Sequence, residues 1–275
     1  MIKLLKLIFK TAFLLIIIAS LIFGYARLIE PYRLECRKIS LSEKETAAIC
    51  PFTIVLFGDT HFGFDYDCSH FEEVISMINS QEPDLIIFTG DLIDDLNTYT
   101  GDISEISSML TRLSANFGKF AVYGNHDYAL SGEAVYRKIM ENGGFTVLEN
   151  ESFFLPELNV AVHGIDDCLI GFGDPSFLQY ASEDCFNLVL CHEPDIFNEL
   201  SDYSISLMLS GHTHGGQVRI PFYTDSFLPT YGKIYVSGLY ESAGSFLYVT
   251  KGIGTTKLPL RFRAVPEVTV ITVGQ

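Results

Sequence analysis

The chain has 275 residues, of which 48% are hydrophobic and 19% charged, so it can form one large domain or two small ones and is not disordered. Its formal net charge of −16 disfavours a nucleic-acid partner, because phosphate backbones are bound by clustered Lys and Arg. The six cysteines include no CxxC pair, which argues against a zinc ribbon or a dense disulfide framework and favours reduced thiols in a cytosol-facing domain.

An apolar stretch near the N-terminus comes first in chain order. Residues 11–26 carry no charge, and as a helix they would span about 24 Å, which the apolar residues before them extend toward the roughly 30 Å of a bilayer core. We therefore predict a single-pass membrane anchor over residues 1–29. The alternative is a cleaved signal peptide, although no small-x-small cleavage site follows the apolar core. Similar positive charge on both flanks leaves the orientation open.

The segment between this helix and the globular part is predicted to be a stalk. Charged residues interrupt any apolar periodicity over residues 30–51, and Pro51 closes the segment. The catalytic domain is then expected to comprise residues 52–275.

The first half of this domain alternates apolar runs with helical patterns. Residues 53–57, 85–88 and 120–123 are short apolar runs that end at glycine, which is typical of buried strands. Residues 71–78 and 103–113 carry apolar side chains at helical spacing. Continuous apolar strands separated by helices predict parallel pairing with crossover helices.

The second half contains short strand candidates and few helices. The candidates are residues 147–148, 153–155, 160–163, 188–191, 207–209, 217–220, 246–249 and 268–273. The whole pattern predicts an α/β fold, a layered sandwich of two mixed β-sheets flanked by helices and preceded by the membrane helix.

Polar side chains follow five of the predicted strands. These five segments are Gly58-Asp59-Thr60-His61, Gly90-Asp91, Gly124-Asn125-His126-Asp127, Cys191-His192-Glu193 and Gly211-His212-Thr213-His214. Ligands bind beyond the carboxyl ends of strands in open parallel sheets, so these side chains are expected at one edge. A lone histidine after a strand is usually a surface or core residue, but five of the seven histidines lie here. Imidazole together with carboxylate suits zinc, iron, manganese or cobalt.

The ordered blocks GDTH, GDLID, GNHD, LCHEPD and GHTHGG, between Phe57 and Gln217, resemble those of the calcineurin-like metallophosphoesterases. The resemblance implies hydrolysis of a phosphodiester or pyrophosphate by a hydroxide that bridges two divalent ions, with manganese favoured. It implies one ion bound by Asp59, His61 and His214, a second bound by Asn125, His192 and His212, and Asp91 bridging both. His126 would protonate the leaving oxygen, Asp94 would orient His126, with Asp95 as the alternative for that role, and Asp127 would support the site.

The substrate is less well defined than the chemistry. Residues 221–240 are rich in aromatic and apolar side chains, and they either pack over the core or form a lipid-facing lip beside the metals. Arg219, Arg261 and Arg263 are candidate phosphate clamps, since arginine matches phosphate geometry.

The motifs GGQV, LPxxG and LPLRFR are similar to those of a membrane-anchored bacterial branch that includes the UDP-2,3-diacylglucosamine pyrophosphatase of lipid A synthesis. This resemblance implies a lipid-linked substrate and a membrane-associated enzyme. Three alternatives stay open: an exported or cell-wall-associated phosphodiesterase or phosphatase acting on a soluble or envelope ester, an inactive metal-binding scaffold, and a nuclease, which the acidic charge disfavours.

Overall fold

Two six-stranded sheets packed face to face form the centre of the protein. The computed structural model describes residues 2–42, 51–221, 224 and 228–274. The first sheet has the order β1-β12-β2-β3-β4-β5, in which only β12 and β2 pair antiparallel. Its strands are β1 (Glu35–Leu41), β2 (Phe52–Phe57), β3 (Leu85–Phe88), β4 (Gly118–Ala121), β5 (Thr146–Val147) and β12 (Glu267–Val273).

The second sheet has the order β10-β11-β9-β8-β7-β6. It comprises β6 (Glu151–Leu155), β7 (Val160–Gly164), β8 (Phe186–Leu190), β9 (Leu207–Ser210), β10 (Gly238–Ser242) and β11 (Ser245–Val249). The central strands run parallel, and both edge pairs are antiparallel. Both sheets are therefore mixed, which confirms the predicted fold class.

Helices cover the outer face of the first sheet. They are α2 (Cys68–Asn79), α3 (Ile103–Thr111) and α4 (Glu133–Asn142), and the Asp67 and Asp102 side chains cap α2 and α3 by accepting backbone N–H groups. Side chains of β2 alternate, so that Ile54 contributes to the core between the sheets and Val55 to the core beneath the helices. Burial of each such aliphatic side chain stabilises the fold by about 1.5–3 kcal/mol.

The predicted stalk differs from the structure. Residues 35–41 form β1, which pairs in parallel with β12, and a short 3-10 turn at Glu30–Tyr32 precedes it. The stalk prediction was therefore wrong for this part, and its residues 43–50 lie outside the described residues. The strand carries charged residues because it is an edge strand with most of its side chains accessible to solvent.

Three further elements differ from the sequence prediction. Residues 217–220 form only an isolated bridge from Val218 to Phe262 instead of a strand. Helix α4 and strand β10 were not predicted; β10 exposes alternate residues at the sheet edge. Within the segment 221–240, residues 222, 223 and 225–227 lie outside the described part, and β10 begins at Gly238.

The N-terminal helix α1 (Ile2–Leu28) extends away from the sandwich. An 18-residue window within it has a mean hydropathy of 2.4, and none of that window is buried. Its 27 residues span about 40 Å, more than the roughly 30 Å of a bilayer core. The helix therefore fits the predicted membrane anchor.

Candidate active site

The predicted site residues converge where strands of both sheets end. Asp59 and His61 follow β2, Asp91 follows β3, Asn125 and His126 follow β4, His192 follows β8, and His212 and His214 follow β9. The five segments, which span more than 150 residues of sequence, thus lie in one crevice at the carboxyl ends of parallel strands.

The backbone at this crevice is strained. Asp59, His61, Asp91, His212 and His214 have φ values of 49°, 45°, 58°, 70° and 51°, in the left-handed region that non-glycine residues rarely adopt. Each such residue costs about 1–3 kcal/mol, and this cost is typically tolerated where function requires the geometry. The left-handed backbone conformation directs the side chains of these residues into the crevice.

Glycines beside these residues allow close approach of the chain segments. A Cβ at Gly124 would lie 2.4 Å from Asp91 Oδ1, and one at Gly211 would lie 2.4 Å from Asp59 Oδ2. No larger residue fits at either position without displacing a candidate ligand.

Asp59, His61 and His214 form the first of two adjoining groups. Their atoms face one another, with His61 Nε2 3.0 Å from His214 Nε2 and the latter 3.6 Å from Asp59 Oδ1. The Nδ1 atom of His61 lies 3.0 Å from Asp94 Oδ1, which leaves Nε2 as the free nitrogen. Asp59 Oδ2 is buried and has no hydrogen-bond partner among the residues that the structure describes. These facing nitrogen and oxygen atoms could together coordinate a cation.

The second group contains Asp91, Asn125, His192 and His212. His192 Nε2 lies 3.3 Å from Asp91 Oδ2, and its Nδ1 is 2.6 Å from the Thr89 carbonyl. His212 directs Nε2 to the Thr230 carbonyl at 2.9 Å, which leaves Nδ1 free. The buried Asn125 Oδ1 has no hydrogen-bond partner in the described part of the chain. These carbonyl contacts fix the ring orientations in the way that ligating histidines usually require.

Asp91 joins the two groups. Its Oδ2 atom lies 3.5 Å from His61 Nε2 and 3.3 Å from His192 Nε2. Burial raises the pKa of Asp91, but the neighbouring His192 and His126 outweigh burial and hold this pKa well below its ordinary value. The carboxylate is therefore charged and placed between the groups.

The two histidines of the last motif are held neutral. Burial and the neighbouring His192 lower the pKa of His212 to about 4. Burial, His61 and the Arg261 guanidinium lower the pKa of His214 well below its ordinary value. Neutral imidazole is the form that binds a metal ion.

His126 lies beside these groups and is more accessible, with 23% of its side chain exposed. Its Nδ1 is 2.6 Å from the Asp94 carbonyl oxygen, whereas the Asp94 carboxylate is 3.6 Å away. Instead, Oδ1 of that carboxylate is hydrogen-bonded to His61 Nδ1 at 3.0 Å and to the Thr256 hydroxyl at 2.9 Å. The closer contact that orients His126 is thus the backbone of Asp94, and the carboxylate orients His61.

Asp127 is buried beneath the crevice and holds its backbone segments together. Its carboxylate accepts backbone N–H groups from Asp91 at 2.8 Å, Leu92 at 3.0 Å and Gly124 at 2.8 Å. These bonds hold the segments after β3 and β4 against each other.

The three candidate arginine clamps differ in environment. Arg261 is fully buried and donates to the backbone carbonyls of Lys251, Gly254 and Ala264, so its prediction as a phosphate clamp was wrong. Arg219 and Arg263 are exposed and line one cavity of about 380 Å³.

One group of potential ligands was missed from the sequence. Cys168, Cys191 and Glu193 lie together, with the two sulfurs 3.9 Å apart and the Cys168 N–H donating to Glu193 at 3.0 Å. The sequence contained a signal for this group, because Cys168 follows two aspartates after β7 and Cys191 directly precedes His192. Cys191 is buried.

The family model of the calcineurin-like phosphoesterases matches residues 52–216. The chain belongs to this family. The phosphoesterase is therefore a hydrolase, as predicted, and its clustered carboxylates and imidazoles suit divalent metal ions.

Relatives match the phosphoesterase over almost its whole length. It is 40% identical over 259 residues to a Bacillus subtilis protein named uncharacterized metallophosphoesterase YkuE, covering 91% of this chain and 89% of that one. It is 33% identical over 254 residues to the Escherichia coli phosphodiesterase YaeI, covering 90% and 92%. A zebrafish transmembrane protein with metallophosphoesterase domain is 28% identical, covering 97% of this chain and 63% of that one.

Proposed function

We propose that the protein is a phosphodiesterase that uses two divalent metal ions. The observation that carries this proposal is the position of Asp91 Oδ2, between His61 Nε2 at 3.5 Å and His192 Nε2 at 3.3 Å. One carboxylate oxygen thereby lies within 3.5 Å of a candidate ligand from each group. The similarity to a relative named as a phosphodiesterase supports a diester as the substrate.

The ligand sets follow from the two groups. One ion would be held by Asp59, His61, His214 and the shared Asp91, and the other by Asn125, His192, His212 and Asp91. When bound, two such ions supply charge to phosphate oxygens and activate water as a nucleophile. The donors are nitrogen and oxygen only, which suits manganese, iron, zinc or cobalt, and we favour manganese.

His126 is proposed as the general acid. Its Nδ1 faces the Asp94 carbonyl, so Nε2 is the atom left to donate a proton to the leaving oxygen. Burial lowers the pKa of His126, but Asp91 and the Asp94 carbonyl outweigh it and raise the pKa above its ordinary value, which favours the protonated form that an acid requires.

A chromogenic assay tests the function. The full chain, purified in detergent and supplied with manganese, is expected to hydrolyse bis(p-nitrophenyl) phosphate and to lose that activity when a chelator removes the metal. Re-addition of manganese should restore it. Absence of turnover with manganese, iron, zinc and cobalt, in a protein that binds metal, would support the scaffold alternative.

A lipid-linked diphosphate such as UDP-2,3-diacylglucosamine is the second candidate for the substrate. The apolar helix α1 favours it, because an anchor keeps the enzyme at the surface where such a molecule resides. The cysteines within the described residues are free thiols, which supports a domain facing the cytosol rather than the exported alternative.

The Asp94→Asn substitution separates two roles of this residue. Loss of the charged partner of His61 should weaken metal binding about 10–100-fold, because supporting partners of a ligating histidine tune its affinity to this extent. Metal titration followed by elemental analysis measures the change, and Asp95→Asn is the matched control. At saturating metal the variant should regain most of its turnover. Unchanged affinity with a permanently lower kcat would show that the carboxylate acts through His126.

A further inference from the structure

The end of α1 is attached to the catalytic domain by direct contacts. Arg27 forms a two-pronged ion pair with Asp65, with both N–O distances 2.9 Å, and the Tyr32 hydroxyl donates to the same carboxylate at 2.9 Å. Glu30 is only 1% exposed, and its Oε1 accepts the Ala264 N–H at 2.6 Å. The domain therefore has a fixed orientation relative to the helix, and the face around the helix end is the one nearest to a membrane that α1 would span.

One loop connects this helix end to the active site. The Arg261 N–H donates to the Ala26 carbonyl at 2.9 Å, and the Arg261 guanidinium lies 3.5 Å from His214 Nδ1. Earlier in the same loop, Thr256 donates its hydroxyl to Asp94 at 2.9 Å. The active site thus lies within about one arginine side chain of the last turn of the membrane helix.

Exposed cationic and apolar side chains occupy this loop and its neighbour. We define the rim surface as Arg219, Ile220, Lys257, Leu258 and Arg263, all of which are exposed. Ile220 is 47% and Leu258 56% accessible. Three cations close together are notable in a chain of net charge −16. Surfaces that combine cations with apolar residues bind the interface of anionic membranes.

The two segments of the rim surface are tied together. The Arg219 N–H donates to the Phe262 carbonyl at 2.8 Å. The Gln217 amide donates to the Thr256 and Leu258 carbonyls, each at 3.0 Å. The surface is therefore one hydrogen-bonded unit.

A cavity of about 380 Å³ opens on the rim surface. Arg219 and Arg263 contribute positive charge to its lining, and Ile220, Leu228 and Val236 contribute apolar side chains. This combination fits an amphiphile, with an anionic group near the arginines and hydrocarbon against the aliphatic residues.

We propose that the rim surface lies in the headgroup layer of an anionic bilayer and that the active site takes a phosphodiester lipid directly from that layer. The substrate class rests on the proposed phosphodiesterase function; the membrane contact does not. Helix α1 would anchor the protein in the membrane. The fixed junction between α1 and the domain would then place the cations and apolar side chains of the rim surface at the membrane interface.

Tryptophan fluorescence tests the membrane contact without reference to activity. The chain contains no Trp, so L258W introduces a single reporter into the rim surface. F154W is the matched control, because Phe154 is 53% exposed on the edge strand β6, opposite Ala161 at the start of β7 and away from the active-site end. In vesicles of phosphatidylglycerol and phosphatidylcholine with headgroup spin labels, L258W should lose most of its emission and F154W little. Equal quenching of the two variants would overturn the proposal.

A pair of esters tests the substrate class. In the same vesicles, I220S/L258S should lower the ratio of turnover on phosphatidyl-p-nitrophenol to turnover on bis(p-nitrophenyl) phosphate by about tenfold, since it removes the apolar interfacial contact. The exposed pair F154S/Y180S should leave that ratio unchanged. An equal ratio in both double variants would overturn the lipid substrate, whereas failure of the unmodified chain on both esters would contradict the phosphodiesterase function itself.

Discussion

Replacement of His126 by alanine is expected to reduce kcat about 10²–10⁴-fold, the usual contribution of a general acid, while both metal ions stay bound. The His126 ring is hydrogen-bonded to the Asp94 carbonyl and packs edge-on against His61, with the ring centroids 4.6 Å apart. His61, His192 and His212 each have a hydrogen-bond partner of their own, so we expect them to stay in place when the ring is removed. The measurement is kcat at saturating manganese, combined with elemental analysis.

The leaving group provides an internal check on this assignment. A general acid matters most when the leaving oxygen is a strong base, so H126A should be impaired more on an alkyl phosphodiester than on a p-nitrophenyl ester. His70 is a matched control, because it lies outside the site and stacks on Tyr32 at 5.1 Å. Loss of both metals in H126A, or an equal loss of rate on the two esters, would contradict the role of acid.

Replacement of Asp91 by asparagine should weaken both metal ions together. The substitution preserves the shape of the side chain but removes the negative charge that lies between His61 and His192. The affinity should fall by more than the roughly 10–100-fold expected for loss of a supporting partner, and turnover should fall with it. Calorimetric titration of the metal-free protein with manganese measures both binding steps.

Comparison with Asp94→Asn makes the bridging role testable. Within the described residues, the hydrogen bonds of the Asp94 carboxylate are to His61 and Thr256 and not to a member of the second group, so its variant should weaken one binding step only. If Asp91→Asn also affected one step, or retained two tightly bound ions, the shared position of the carboxylate would have no functional meaning.

Much of the site could be predicted from sequence because its chemistry is concentrated in short blocks. The apolar strands β2 and β3 are almost wholly buried, and glycine or threonine-glycine separates each from the candidate ligand that follows it. Strand β4 is buried only at its end, and two further apolar residues, Val122 and Tyr123, precede Gly124 and Asn125. Parallel strands place their carboxyl ends at one edge, so the convergence of these blocks follows from the strand pattern. The structure brings all seven predicted ligands to that edge.

Elements with little burial were not predicted. Strand β1 exposes most of its side chains and carries charges, so residues 35–41 have no apolar pattern and were taken for a stalk. The edge strand β10 was missed for the same reason. Their pairing depends on backbone hydrogen bonds to β12 and β11, which composition does not reveal.

The sequence by itself determined the ligand types, their order and the apolar helix, because each is a property of a few neighbouring residues. Only the tertiary structure decided that Arg261 is buried between Ala26 and His214, that the Asp94 carboxylate faces His61, and that helix α1 is fixed to the domain. These outcomes depend on contacts between residues far apart in the chain, such as the 2.6 Å bond from Ala264 to Glu30, and no local periodicity encodes them.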